Sequence, residues 1–152
     1  MKLGVVADTH GTLPESIASV LAGVDRIVHA GDIGSQRILD DLESIAPVTA
    51  VHGNMDTGEL EWRLLDTAVL RMDEHRILVA HKASDVIASG IPEGVSVVVS
   101  GHTHRPAIEQ VGGVLFVNPG SAGGQNRDGR GATAAIIDLS VSPPAARIVD
   151  LP

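Results

Sequence analysis

The chain has 152 residues, a formal net charge of -8, no cysteine, and Trp62 and Phe116 as its only aromatic side chains. That length fits one domain over residues 1–152, with a core of Val, Ile, Leu and Ala, and the lack of cysteine rules out disulfide frameworks and thiolate metal sites. The charge and the scarcity of rings count against nucleobase-stacking surfaces and sequence-specific nucleic-acid binding. The first apolar run stops at Asp8, too early for a secretory signal, and no stretch reaches the roughly 20 apolar residues of a membrane span. A cytoplasmic protein with no membrane partner is the expectation.

In chain order, residues 3–7 form an apolar run that ends on Asp8 and, two positions on, His10. Short runs rich in Val and Ile, bounded by Gly or polar residues, read as buried strands. Thr12 is placed to cap a helix starting near Leu13, with Pro14 and Glu15 in its first turn and Ile17, Val20 and Leu21 at helical spacing. A second strand, 26–30, runs through Gly31 into Asp32. Residues 35–44 predict a second helix with Ile38, Leu39 and Leu42 on one face. A third strand, 48–51, leads by His52 and Gly53 to Asn54. Strands alternating with helices predict βαβ units and a parallel core sheet. Residues 56–65 read either as a short helix over the site or as an irregular loop.

The second half changes character. Residues 68–72 and 75–81 predict a hairpin turned by Asp73-Glu74, the second strand ending on His81. Residues 83–89 predict a short helix. Strand-like runs follow at 95–100, 114–117, 132–139 and 145–149, the first leading by Gly101 to His102 and His104. The glycine-rich segment 120–131, carrying Arg127 and Arg130, reads as a loop. The fold class expected is α/β, two mixed sheets packed as a sandwich with helices outside.

Five apolar runs thus stop on residues that can bind metal. Ligands of open parallel sheets sit beyond the carboxyl ends of the strands, so Asp8, His10, Asp32, Asn54, His81, His102 and His104 are expected to gather in space. Asp8 and His10 are two apart, so both can face one cation, and His102 with His104 repeats that spacing. Seven oxygen and nitrogen donors exceed one metal's needs and suit two that share a ligand. Asp32 is the best bridge, because a carboxylate has two oxygens. With no sulfur and four histidines, the set favours Mn²⁺, Fe, Zn²⁺, Co²⁺ or Ni²⁺ over calcium or magnesium. His29, His52 and His75 fall outside the set; His29, inside a strand, is expected to donate to a ligand carboxylate, and His75 to be exposed.

Asp8-x-His10, Gly31-Asp32, Gly53-Asn54, His81 and Gly101-His102-Thr-His104, in this order, resemble the calcineurin-like metallophosphoesterase superfamily, in its small, cap-less phosphodiesterase branch. Asn118-Pro-Gly-Ser121 also looks like this branch. The resemblance implies a four-layer sandwich and two divalent transition metals, manganese first. Asp8, His10, Asp32 and His104 would hold one metal, and Asp32, Asn54, His81 and His102 the other. It further implies hydrolysis of a phosphate ester, a small molecule or nucleotide, by a hydroxide bridging the two metals.

The chain departs from the wider family at Met55, where many members carry a histidine that contacts the substrate, and at Lys82-Ala83 after His81. The leaving-group acid is therefore unidentified. Asp56 is either that acid or a cap or turn residue, and Lys82 either adds positive charge near the phosphate or points to solvent. Asn54 and Arg127 are the candidate substrate contacts, with Arg130 behind them. A phosphomonoesterase, or a non-catalytic scaffold that uses the fold to bind another protein, are the alternatives. Exposed sheet edges also allow a homodimer.

Overall fold

A computed structural model describes residues 1–152. Three parallel strands, β1 (Lys2–Val6), β2 (Arg26–His29) and β3 (Val48–Ala50), form one side of the five-stranded first sheet, with Leu3 paired to Arg26 and Ile27 to Val48. β9 (Thr133–Asp138) and β10 (Ala145–Asp150) extend it antiparallel, giving the order β10-β9-β1-β2-β3. The second sheet has the order β4-β5-β6-β8-β7. Its central strands β5 (His75–Ala80), β6 (Val95–Val99) and β8 (Val114–Asn118) are parallel, while β4 (Thr67–Met72) and β7 (Ala107–Val111) run antiparallel at the two edges.

The period-2 alternation of each strand decides which layer its side chains join. Leu3, Val5 and Val28 meet Ile77, Val79, Val97 and Val99 between the sheets. The alternate residues Val6 and Ile27 face outward onto α1 (Ile17–Val20), α2 (Gln36–Glu43) and α3 (Glu59–Arg63), through Ile17, Leu21, Ile38, Leu42 and Leu60. On the far side Leu78 and Val98 pack against Val86 of α4 (Ala83–Ser89). The result is four layers: helices, sheet, sheet, helix. No helix is long and apolar enough to cross a membrane.

Two expectations are corrected. The first helix does not start near Leu13 under a Thr12 cap; α1 is a four-residue helix behind Ser16. Pro14 disfavours helical backbone at the residue before it, so the helix begins only after the proline. Strand β7 was not expected at all, because its five residues are all exposed and show no apolar alternation. The Gly112-Gly113 pair between β7 and β8 is a two-residue hairpin signal that would have located it.

Candidate metal centre

All seven donor residues follow the carboxyl ends of parallel strands. Asp8 and His10 follow β1, Asp32 follows β2, Asn54 follows β3, His81 follows β5, and His102 and His104 follow β6. The loops are tied together across the two sheets by their backbones. Asp8 N–H donates to Gly31 O, His10 N–H to Asp32 O, Gly101 N–H to His81 O, and Ala122 N–H to Ala7 O, all at 2.9–3.0 Å. The donors gather as two sets, Asp8–His10–His104 and Asp32–His81–His102, each with its donor atoms within 4.8 Å of one another. Asn54 Oδ1 lies 3.1 Å from His102 Nδ1, which attaches it to the second set.

Asp32 lies between the sets. Its Oδ1 accepts the Met55 N–H at 2.8 Å. Its Oδ2 is 3.3 Å from His81 Nε2 in the second set and 3.9 Å from His10 Nε2 in the first. One oxygen thus faces both groups.

The backbone at these positions is unusual. Six non-glycine residues have positive φ, and five are donors: Asp8, His10, Asp32, His102 and His104, at 47–72°. Left-handed backbone costs an L-residue roughly 1–2 kcal/mol. Such conformers persist where surrounding bonds over-determine them, and they concentrate at functional sites. Here they turn each side chain sharply inward at a strand end. Two glycines keep the backbone close: a Cβ on Gly53 would overlap the Asp32 carboxylate, and one on Gly101 would lie 2.8 Å from Asp8 Oδ2.

Hydrogen bonding shows what the sets lack. His81 Nδ1 donates to Ala30 O at 2.7 Å, which turns its Nε2 toward the Asp32 carboxylate at 3.3 Å. His81 Nε2 is buried there without a hydrogen-bond partner. In the other set the Nε2 atoms of His10 and His104 stand 3.3 Å apart. Asp8 is fully buried; its Oδ2 accepts the His102 N–H at 2.9 Å, while its Oδ1 has no partner. Burial pushes the Asp8 carboxyl up to about 7. Burial also works to raise Asp32, but His81 and the Met55 N–H hold it below the ordinary carboxylate value. Burial lowers His102 and His104. Unpartnered buried polar atoms, Asp8 Oδ1 in one set and His81 Nε2 in the other, are what cations would satisfy, so the residues fit a pair of divalent metals.

Surrounding residues hold these loops in place. Asp56 is buried and accepts three backbone N–H groups, from Ile33 at 2.8 Å and Gly34 at 3.0 Å on Oδ1 and from Gly53 at 2.8 Å on Oδ2. It ties the Asp32 loop to the Asn54 loop, which is the turn role rather than the acid. Asn118 donates to Gly101 O at 2.9 Å and to Thr103 Oγ1 at 3.1 Å, bracing the His102–His104 turn. Ser121 Oγ donates to Asp8 O at 2.8 Å. The spacing of Asn118-Pro-Gly-Ser121 marked the motif, but its role needed the fold.

The remaining expectations divide. His29 does not reach a ligand carboxylate: Gly31 N–H donates to its Nδ1 at 3.1 Å, and its Nε2 is 3.0 Å from Thr9 Oγ1. The nearest polar atoms of its own sheet take both ring nitrogens first. His75 is half-buried, with Nδ1 3.1 Å from Ser96 Oγ of the adjacent strand. His52 pairs with Asp66 at 2.8 Å. Arg130 is spent on Asp150 at 2.7 Å, whereas Arg127 is exposed and its own N–H donates to His104 O at 2.9 Å.

A sequence profile of the calcineurin-like phosphoesterase superfamily domain matches residues 1–142. The chain is 36% identical over 136 residues to a probable metallophosphoesterase of Methanocaldococcus jannaschii, covering 80% of this chain and 68% of the relative. It is 30% identical over 143 residues to a phosphodiesterase of the same archaeon, covering 82% of this chain and 86% of the relative. Among solved structures, the fold is similar to Vps29 from Entamoeba histolytica complexed with zinc, with a TM-score of 0.78, 20% identity and both chains fully covered. With ten strands in two mixed sheets, donors at the strand ends and nearly the whole length matched, the chain belongs to the calcineurin-like phosphoesterase superfamily.

Proposed function

We propose that the chain is a two-metal phosphodiesterase. The observation that supports this most is Asp32 Oδ2, which faces a histidine of each donor set at 3.3 and 3.9 Å. Asp8, His10, Asp32 and His104 would hold one cation, and Asp32, Asn54, His81 and His102 the other. Two divalent cations bound there supply a water of lowered pKa and a clamp for phosphoryl oxygens. The donor chemistry suits manganese, iron, zinc, nickel or cobalt, and the family resemblance puts manganese first.

The chain's own residues set what the reaction tolerates. Asp56 is committed to three backbone N–H groups and Met55 carries no proton, so the Asn54 loop offers no acid to a departing alcohol. Diesters of acidic alcohols, such as aryl esters, should therefore react fastest. Arg127, whose N–H donates to His104 O, would supply a contact to a phosphate. The complete donor set favours catalysis over the scaffold reading, which needs none of it.

Protein stripped with a chelator should lose hydrolysis of bis(4-nitrophenyl) phosphate and regain it with added manganese. Asn54→Ala should lower the restored rate on the order of a hundredfold, the effect typical of removing one positioned polar group. Activity that is indifferent to the chelator would remove the metal mechanism.

A further inference from the structure

Two grooves open on the Asp32–His81–His102 set, and α4 lies between them. The first, about 580 Å³, begins at Asn54 and His81 and is walled by His52, Asp66 and Asp85 together with Leu78 and Val86. The second, about 400 Å³, begins at His102 and runs past Ile87 and Phe116, with Arg105 and Glu109 also on its wall. Lys82 lines both. Phe116 is one of only two aromatic residues in the chain, and Ile87 is 63% exposed. That groove therefore presents uncovered apolar surface directly beside a metal-binding histidine. Each groove has the size of a site for a small organic group.

A phosphate monoester carries one organic arm, whereas a diester carries two on opposite sides of phosphorus. Grooves that meet at one donor set, the second with the more apolar wall, match the second case. We propose that the substrates are phosphodiesters of two unlike alcohols. An apolar arm, aryl or alkyl, lies along Ile87 and Phe116. A polar, hydroxylated arm lies along His52 and Asp66, and Lys82 contacts a phosphate oxygen between them. This rests on the phosphodiesterase reading and adds the substrate class to it. Ile87 and Phe116 are specificity-determining residues here, and Lys82 is a charge common to every diester.

The asymmetry is tested by binding, independently of turnover. Affinities of dimethyl, methyl phenyl and diphenyl phosphate would be measured by calorimetry on manganese-supplemented protein. One phenyl should tighten binding about tenfold or more, because burying one ring is worth that much. A second phenyl should add less than about threefold, since the groove along Ile87 and Phe116 is the more apolar of the two. Ile87→Glu, on an exposed helical position, should cut the first gain to below about threefold. Lys82→Met should weaken all three ligands alike, by about tenfold, as loss of a charge-assisted contact does. Val141→Glu, in the exposed loop between β9 and β10, should leave every ratio as it was. Equal gains for both rings, no gain for the first, or a gain that survives Ile87→Glu would each overturn the assignment. Failure to hydrolyse bis(4-nitrophenyl) phosphate is a separate result, and it counts against the phosphodiesterase reading alone.

Discussion

Replacing Asp32 with Asn should lower manganese-dependent hydrolysis of an aryl phosphodiester on the order of a thousandfold, about 4 kcal/mol of transition-state stabilisation. The substitution is nearly isosteric. The amide oxygen of Asn can still accept the Met55 N–H, which Asp32 Oδ1 accepts at 2.8 Å. What disappears is the charge on Oδ2, the one oxygen that faces both His81 and His10. A neutral amide nitrogen there cannot hold two cations against each other, so bound manganese per chain should fall by at least one equivalent. The fold should survive, because Asp32 contributes no packing to the cores on either face of its sheet. Steady-state kinetics, metal analysis and circular dichroism on the variant check the three parts. Full activity with full metal content would contradict the bridging role.

The second large effect is on stability in acid. His29 is fully buried in β2, and burial lowers its ring to about 3 against an ordinary value of 6.5. The Gly31 N–H donates to Nδ1, so the neutral ring carries its proton on Nε2, toward Thr9 Oγ1, whose own hydroxyl donates to Ile33 O at 2.7 Å. Both nitrogens are committed, and a second proton would displace the Gly31 bond. Because the folded pKa lies below the unfolded one, the unfolded chain binds the extra proton first. Stability from this group is complete above about pH 6.5 and is lost as the pH falls toward about 3, by about 1.4 kcal/mol per pH unit. His29→Asn should be less stable at neutral pH by about 1–3 kcal/mol, through the lost Thr9 bond. Its unfolding free energy should nonetheless fall less steeply with acid, by about one proton between pH 4 and 6. Urea titrations across that range measure both slopes. A ring of His29 that NMR shows titrating near 6.5 in the folded protein would contradict this account.

Much of the architecture is legible in the residues. Val- and Ile-rich runs locate nine of the ten strands, and Asp73-Glu74 marks the β4–β5 hairpin, where Met72 pairs with His75. Ser35 to Ser44 brackets α2 as its two caps. β7 escaped because an exposed edge strand need not bury a face, so its sequence carries no alternation. The start of α1 escaped because a proline was read as a first-turn residue when its effect on the preceding residue prevailed.

At the site, the donor types were readable because a polar residue closing an apolar run has little structural reason to recur five times. Their left-handed backbone was not readable, since Asp and His adopt positive φ only when a fold compels them. Nor was the part played by Asp56 and Asn118. Each acts through hydrogen bonds to segments 15 to 23 residues away, and only the closed sandwich brings those segments together.

The most direct test is anomalous diffraction at the manganese edge from crystals grown with that metal. Two peaks should stand on either side of Asp32 Oδ2, one within coordinating distance of Asp8, His10 and His104, the other of Asn54, His81 and His102. One peak, or two that do not share Asp32, would contradict the account.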